Sequence, residues 1–118
     1  MRNQNIYLKD IIESINKIIE FVENMTFEEF QEDDKTSSAV IRKFEILGEA
    51  TKNITDDTRT KYPKIPWKEM AGMRDRLIHS YFGIDYKLVW TTIKNSIPNL
   101  KTMIEEILVE SKKKHQDK

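Results

Sequence analysis

The sequence predicts an all-α protein built as a bundle of four or more main helices. Along most of the chain, apolar residues recur at intervals of three and four, the spacing that places them on one face of a helix. Only three glycines and three prolines occur among 118 residues, too few for the turns that a β architecture needs. Hydrophobic residues make up 38% of the chain and charged residues 34%, a balance that suits a soluble, mostly helical protein.

The first part of the chain predicts one long helix followed by one short helix. The apolar stripe of the long helix comprises Leu8, Ile11, Ile12, Ile15, Ile18, Ile19 and Val22. Residues 24–26 interrupt this stripe, and Thr26 can cap a short helix that continues through Phe30 and Gln31. Residues 32–35 then read as a polar connection to the next helix.

The middle of the chain predicts three further helices. The first covers about residues 37–53, and its internal Gly48 indicates close packing against another helix, since glycine costs roughly 1 kcal/mol in a helix interior. A small helix over residues 56–62 follows and is stopped by a proline. Pro66 then stands where a first helical turn tolerates proline, and it opens a helix over about residues 67–80.

The last part of the chain predicts a long helical region. Gly83 is expected to stop the preceding helix, and Asp85 is expected to cap the next one. Either one helix kinks at Pro98, or two helices meet there nearly in line. The apolar positions that stay in phase across this proline are Tyr86, Val89, Trp90, Ile93, Ile97, Leu100, Ile104, Ile107 and Leu108.

Length and composition limit the classes of protein to be considered. We expect a single domain over residues 1–118, whose basic tail from about residue 112 is frayed. The chain has no cysteine, which excludes disulfides and thiolate metal sites, and it has no long apolar run near its N-terminus. We therefore expect a cytoplasmic protein with no signal peptide and no membrane contact. Its 20 basic and 20 acidic residues cancel, so any contact with RNA must come from a local patch.

The residues with the clearest chemical potential are Arg74, His79 and Tyr81, which lie within eight positions of each other. Arginine binds phosphate through forked N–H groups and histidine carries a proton near neutral pH, as cleavage of a phosphodiester without a metal would require. On one ideal helix, however, Arg74 and His79 lie about 140° apart. Their convergence needs a loosened helix end, a long arginine that reaches round, or a second subunit related by a twofold axis.

Each of these residues also has a purely structural interpretation. Arg74 could form a salt bridge with Glu45 or Glu49 on a neighbouring helix, because a guanidinium beside an apolar stripe needs a partner. His79 could cap the C-terminus of its helix, where a cation is favoured. Tyr81 could be an amphipathic residue packed at a boundary. Spacing alone leaves both interpretations open.

The acidic residues of the chain do not indicate a metal site. Asp75 follows Arg74 directly, and it either forms a surface ion pair or orients a catalytic side chain. The acidic cluster within residues 28–34 has no accompanying histidine. We therefore expect neither a metal nor another cofactor.

Several motifs together resemble the HepT-like (DUF86) family of the HEPN superfamily, and the resemblance covers nearly the whole chain. These motifs are Arg74-x4-His79-x-Tyr81, the following Phe82-Gly83-Ile84-Asp85, the upstream Leu47-Gly48-Glu49-Ala50, and Pro66-Trp67 ahead of Met70-Ala71-Gly72-Met73-Arg74.

This resemblance implies a function that the spacing alone does not give. Known HepT-like proteins are all-α dimers that act as metal-independent ribonuclease toxins, and they are usually encoded beside a minimal nucleotidyltransferase antitoxin, MntA, which transfers AMP to a tyrosine near the active site. By resemblance, Arg74 and His79 would be catalytic, and Asp75 would be the supporting polar residue after the arginine. Tyr81 would be the AMP acceptor. The implied partners are RNA, an MntA-like antitoxin and a second copy of the chain.

The chemistry that follows is a hypothesis with two competitors. His79 would take the proton of a ribose 2′-hydroxyl or protonate the leaving 5′-oxygen, and Arg74 would stabilise charge on the phosphoryl oxygens. One competitor is a non-catalytic helical dimer that serves a nucleotidyltransferase as its partner or substrate-binding subunit. The other is a purely structural dimer in which Arg74 forms an ion pair at the interface.

Overall fold

The computed structural model describes the backbone of residues 4–79 and 83–116, and the side chains of residues 4–78 and 83–113. Apart from one very short hairpin, these residues form helices, which confirms the all-α class. The elements are α1 Gln4–Phe21, α2 Phe27–Glu32, α3 Asp34–Lys52, α4 Asp56–Lys61, α5 Trp67–Ala71, α6 Met73–Leu77, β1 Ile78–His79, β2 Gly83–Ile84, α7 Tyr86–Asn95 and α8 Ile97–Gln116.

One hydrophobic core joins the long helices. Helix α1 packs against α3 and α8, and the other face of α3 packs against α5 and α6. The bulkiest side chains with almost no exposure come from α1, α2, α3, α5, α6 and α8, and they are Phe30, Phe44, Leu8, Ile11, Ile15, Ile18, Leu47, Met70, Leu77, Ile97 and Ile104. Among the residues that the structure describes, no helix is both long and apolar enough to cross a membrane.

The capping box at the start of α2 confirms the predicted role of Thr26. The backbone N–H of Glu29 donates to the Thr26 hydroxyl at 3.1 Å, and the backbone N–H of Thr26 donates to the Glu29 carboxylate at 2.9 Å. The predicted polar connection over residues 32–35 is wrong, because Asp33 alone separates α2 from α3. Hydrogen bonds from the backbone N–H and hydroxyl of Thr36 lower the pKa of Asp33 and let one residue both end α2 and cap α3.

Gly48 lies where α3 meets α5, which confirms the predicted close packing of this glycine against another helix. A Cβ atom at this position would lie 3.3 Å from the carbonyl oxygen of Ala71 and 3.4 Å from that of Met70. Any larger residue would therefore press against the backbone of α5. The absence of a side chain lets the two helices approach closely, and this approach also sets the separation between α3 and the following helix, α6.

The predicted helix over residues 67–80 begins at Trp67 but is wrong beyond Leu77. It is broken at Gly72 into α5 and α6, and the chain then leaves the helix as strand β1. Strand β1 pairs antiparallel with β2, with Ile78 opposite Ile84 and His79 opposite Gly83. The backbone N–H of Asp85 donates to the Leu77 carbonyl at 2.9 Å and extends this pairing. Cross-strand partners thus replace the hydrogen bonds of a continued helix, while Ser80 lies outside the described residues.

The two sides of this hairpin correct one prediction and confirm another. Gly83 does not end a helix; it begins β2 with a φ of 74°, a left-handed conformation that glycine adopts without steric cost. Asp85 caps α7 as predicted, because the backbone N–H of Leu88 donates to its carboxylate at 3.1 Å. A short hairpin therefore connects α6 to α7.

The region around Pro98 consists of two helices and not of one kinked helix. Helix α7 ends at Asn95 with Ser96 as its cap, and α8 begins at Ile97. Pro98 therefore occupies the first turn of α8, where its missing N–H breaks no helical hydrogen bond. Helix α8 continues to Gln116, so the basic tail starts inside this helix; fraying of its end stays a prediction.

Candidate active site

Arg74 lies in the first turn of α6 and forms an ion pair with α3. Its Nε donates to Oε2 of Glu45 at 3.0 Å. The side chain of Arg74 is 54% exposed and that of Glu45 is 31% exposed, so the carboxylate is the more sheltered partner. The expected salt bridge is confirmed with Glu45. Glu49, the other partner that the sequence allowed, pairs with Lys52 on its own helix at 3.3 Å.

Asp75 forms a second and weaker ion pair with the same guanidinium. Nη1 of Arg74 lies 3.7 Å from Oδ1 of Asp75, which is too long for a hydrogen bond, and the Asp75 side chain is 86% exposed. This contact confirms the surface ion pair that the sequence predicted for Asp75. The guanidinium therefore stands between two carboxylates, and this group of three carries one negative charge overall.

The packing of α6 explains why Arg74 faces solvent. Met73 and Leu77 are the buried residues of this five-residue helix, with exposed fractions of 4% and 1%. They anchor one side of α6 and leave Arg74, Asp75 and Arg76 exposed. Met70, Met73 and Leu77 all stay buried across the break at Gly72, while the guanidinium of Arg74 faces solvent and Glu45.

The backbone of His79 belongs to strand β1, two residues beyond the end of α6. The angle of about 140° between Arg74 and His79 on an ideal helix therefore does not apply. Ile78 occupies the C-cap position of α6. Of the three routes to convergence that the sequence allowed, the backbone of the described residues shows the loosened helix end, because the chain leaves α6 after Leu77. The side chain of His79 and the whole of Tyr81 lie outside the described residues, so their convergence with Arg74 stays a prediction.

Acidic residues near Arg74 do not form a cation site in the described part of the chain. No group of three or more histidine, aspartate or glutamate side chains among those residues could hold a metal ion. Glu45 and Asp75 both face the guanidinium, which offsets one of their two negative charges. Both carboxylates therefore pair with the guanidinium of Arg74, a cation that belongs to the protein.

An all-α bundle that carries Arg-x4-His across the boundary between a helix and a hairpin defines a HEPN-type helical fold. The family model described as "Ribonuclease HepT-like" matches residues 11–107, a segment that contains every candidate site residue. The chain belongs to this ribonuclease HepT-like family, as its motifs predicted.

Relatives of similar length carry names that agree with this assignment. The chain is 51% identical to "Probable ribonuclease HepT" of Thermococcus cleftensis over 106 residues, which cover 90% of this chain and 96% of that protein. It is 51% identical to "Putative RNase MJ0127" of Methanocaldococcus jannaschii over 102 residues, 86% of this chain and 84% of the other. It is also 44% identical to "Putative RNase TTE0752" of Caldanaerobacter subterraneus over 112 residues, 95% and 100% of the two chains. No solved structure is a significant match.

Proposed function

We propose that this protein is a metal-independent HEPN endoribonuclease toxin, a single domain in which Arg74 and His79 are the catalytic residues. The observation that carries the proposal is the Arg74-x4-His79-x-Tyr81 motif, with Arg74 exposed on α6 and His79 on the adjoining strand. An exposed guanidinium can reach a phosphate, and an imidazole can move a proton near neutral pH. Membership of the ribonuclease HepT-like family supports the same assignment.

The proposed reaction uses the substrate's own ribose as nucleophile. The 2′-oxygen attacks the adjacent phosphorus while the bond from phosphorus to the 5′-oxygen breaks, which leaves a 2′,3′-cyclic phosphate and a 5′-hydroxyl. His79 takes the 2′-hydroxyl proton or supplies a proton to the leaving 5′-oxygen. Arg74 donates hydrogen bonds to the phosphoryl oxygens as negative charge accumulates on them.

The forked donors of Arg74 are the reason to place the proposed site in a homodimer. Glu45 and Asp75 together outweigh the charge of each guanidinium, so an RNA phosphate would be held by directed hydrogen bonds and not by net charge. Two copies of α6 that meet about a twofold axis would place two Arg74 side chains beside one phosphate. The proposed catalytic unit is therefore a symmetric dimer in which both copies stabilise the transition state.

The first test concerns the chemistry of cleavage. We expect the purified protein to cut single-stranded RNA in the presence of EDTA and to leave 2′,3′-cyclic phosphate ends. The matched control is a substrate of the same sequence made entirely of deoxynucleotides, which must stay intact because it lacks the attacking 2′-hydroxyl. Products can be resolved on a gel and their ends identified by mass spectrometry. Loss of cleavage in EDTA, or equal cleavage of the deoxy substrate, would contradict this reaction.

Regulation by an antitoxin is the second part of the proposal. An MntA-like nucleotidyltransferase would transfer AMP from ATP to the hydroxyl of Tyr81, two residues beyond His79. The phenolic oxygen would bond to the α-phosphorus, pyrophosphate would leave, and the phenolic proton would pass to solvent. The added phosphate brings negative charge and bulk to the place where an RNA phosphate must bind, so it would repel the substrate and obstruct it.

We expect Tyr81→Phe to abolish AMP incorporation while leaving RNA cleavage intact. The measurement is transfer of labelled AMP from ATP by an MntA-like nucleotidyltransferase, followed by peptide mass spectrometry. Tyr86→Phe is the matched control, because this tyrosine lies close in sequence on α7 and should not alter incorporation. Incorporation into the Tyr81→Phe variant would exclude Tyr81 as the acceptor. A wild-type protein that receives AMP but never cleaves RNA would instead favour the non-catalytic partner of a nucleotidyltransferase.

A further inference from the structure

We infer that Glu45 is a positioning residue for RNA cleavage, one that holds the Arg74 guanidinium by its Nε and presents the Nη1–Nη2 edge to the scissile phosphate. The inference rests on the proposed ribonuclease function and deepens it. Nothing in the Arg-x4-His-x-Tyr motif includes this residue, which lies 29 positions upstream on a different helix.

The atoms that meet in this ion pair determine which face of the arginine remains available. Nε carries a single N–H, and it is directed at Oε2 of Glu45 at 3.0 Å. The guanidinium is planar, so fixing Nε also fixes the direction of the opposite edge. That edge carries Nη1 and Nη2, whose parallel N–H groups match two oxygens of one phosphate. Among the described residues, Nη1 remains open to a phosphate because Asp75 is 3.7 Å away, beyond hydrogen-bonding distance.

Glu45 is suited to this role because α3 is held rigidly beside α5 and α6. Phe44, its neighbour in sequence, is fully buried. One turn further on, Gly48 packs against the carbonyl groups of Met70 and Ala71. The carboxylate is therefore carried by a helix whose distance from the α5–α6 segment is set by backbone contact. Arg74 alone, on a helix of five residues and 54% exposed, would sample many rotamers.

The charge of Glu45 allows a positioning role to be distinguished from a role in substrate binding, because the two roles affect KM and kcat differently. A carboxylate next to Arg74 repels an incoming phosphate, so Glu45 opposes substrate binding while it orients the guanidinium. Removing its charge should therefore lower KM. Removing its hydrogen-bond acceptor should lower kcat, because the guanidinium is then no longer held in the geometry that the transition state needs. A residue that only stabilises the fold would change neither constant of the folded protein.

Three variants test the inference through steady-state cleavage of a fluorescent RNA. We expect Glu45→Ala to lower kcat by about 10- to 100-fold without raising KM. Glu45→Gln keeps an oxygen acceptor and loses the charge, so its kcat should stay near that of wild type while its KM falls. Glu49→Ala is the matched control, because Glu49 lies one turn away on α3, is 73% exposed and pairs with Lys52. Both of its constants should be unchanged.

A second measurement follows the ion pair without RNA. In nitrogen–proton NMR spectra, the Arg74 Nε–H signal should shift in Glu45→Ala and stay in place in Glu49→Ala. The inference is overturned if that signal does not respond to Glu45→Ala. It is also overturned if the kcat of Glu45→Ala equals or exceeds that of Glu49→Ala. The same holds if Glu45→Gln lowers kcat as much as Glu45→Ala does. Failure of the proposed function is a different result: no cleavage by wild type, or cleavage that is insensitive to Arg74→Ala.

Discussion

Replacement of His79 by alanine is expected to slow RNA cleavage by roughly 10²- to 10⁴-fold, the usual contribution of general acid–base catalysis by a side chain. His79 is the proposed carrier of the proton that leaves the 2′-hydroxyl or reaches the 5′-oxygen. Its backbone pairs with Gly83 in the hairpin, and an alanine can keep those backbone hydrogen bonds. The variant should therefore fold normally and fail at the chemical step.

Single-turnover cleavage measured across a range of pH tests this expectation. The chain offers a matched control in its second histidine, His115 in the basic tail, whose replacement by alanine should leave the rate unchanged. Added imidazole should restore part of the activity of His79→Ala, because it can occupy the vacated space and carry the same proton. Cleavage by His79→Ala at the wild-type rate, or an equal loss in His115→Ala, would exclude this mechanism.

Local signals in the sequence were sufficient to predict most of the helices. Thr26 and Asp85 cap their helices through hydrogen bonds to residues only three positions ahead, so both caps can be read from the neighbouring residues. The apolar stripe of α1 likewise follows from the period of a single helix. Gly48 was informative for a related reason, since a glycine inside a helix indicates a close neighbour even when that neighbour is unknown.

The very short hairpin after α6 explains what the sequence did not reveal about the end of this helix. Met70, Met73 and Leu77 have the spacing of a continuous helix, and this spacing stays the same if the helix breaks at Gly72. The chain leaves the helix after Leu77 because the hydrogen bonds of a hairpin over residues 77–85 replace those of the helix. Strands of two residues are too short to show the alternating pattern that identifies a strand. The predicted helix was therefore wrong at Ile78 and His79, where the proposed site is built.

The partner of Arg74 shows a second limit of sequence reasoning. Glu45 and Glu49 are four residues apart, and a helix rotates by only about 40° over that interval, so both point to nearly the same side of α3. The choice between them depends on how α3 and α6 pack against each other. The close contact at Gly48 brings α6 next to Glu45, while Glu49 is left to pair with Lys52.

Replacement of Arg74 by alanine should lower kcat/KM by about 10²- to 10³-fold, the usual effect of removing one donor to a developing oxyanion. The loss has two sources. The transition state loses its forked donor, and Glu45 and Asp75 are left as two uncompensated carboxylates beside the bound phosphate. The free energy of unfolding should fall by only about 0–1 kcal/mol, because exposed ion pairs contribute weakly to stability. Arg74→Ala is therefore expected to lose most of its activity while keeping nearly the stability of the wild type.

Arg74→Lys and Arg76→Ala make this separation of activity from stability testable. Lysine restores the positive charge without the planar fork, so it should recover RNA binding more than it recovers kcat. Arg76 is exposed on the same helix, and its loss should weaken binding only modestly. Cleavage rates, binding at several salt concentrations and sedimentation of each variant distinguish the outcomes. If Arg74→Ala dissociates the dimer yet its RNA binding and cleavage match those of Arg76→Ala, then Arg74 is an interface ion pair and the ribonuclease site must be sought elsewhere.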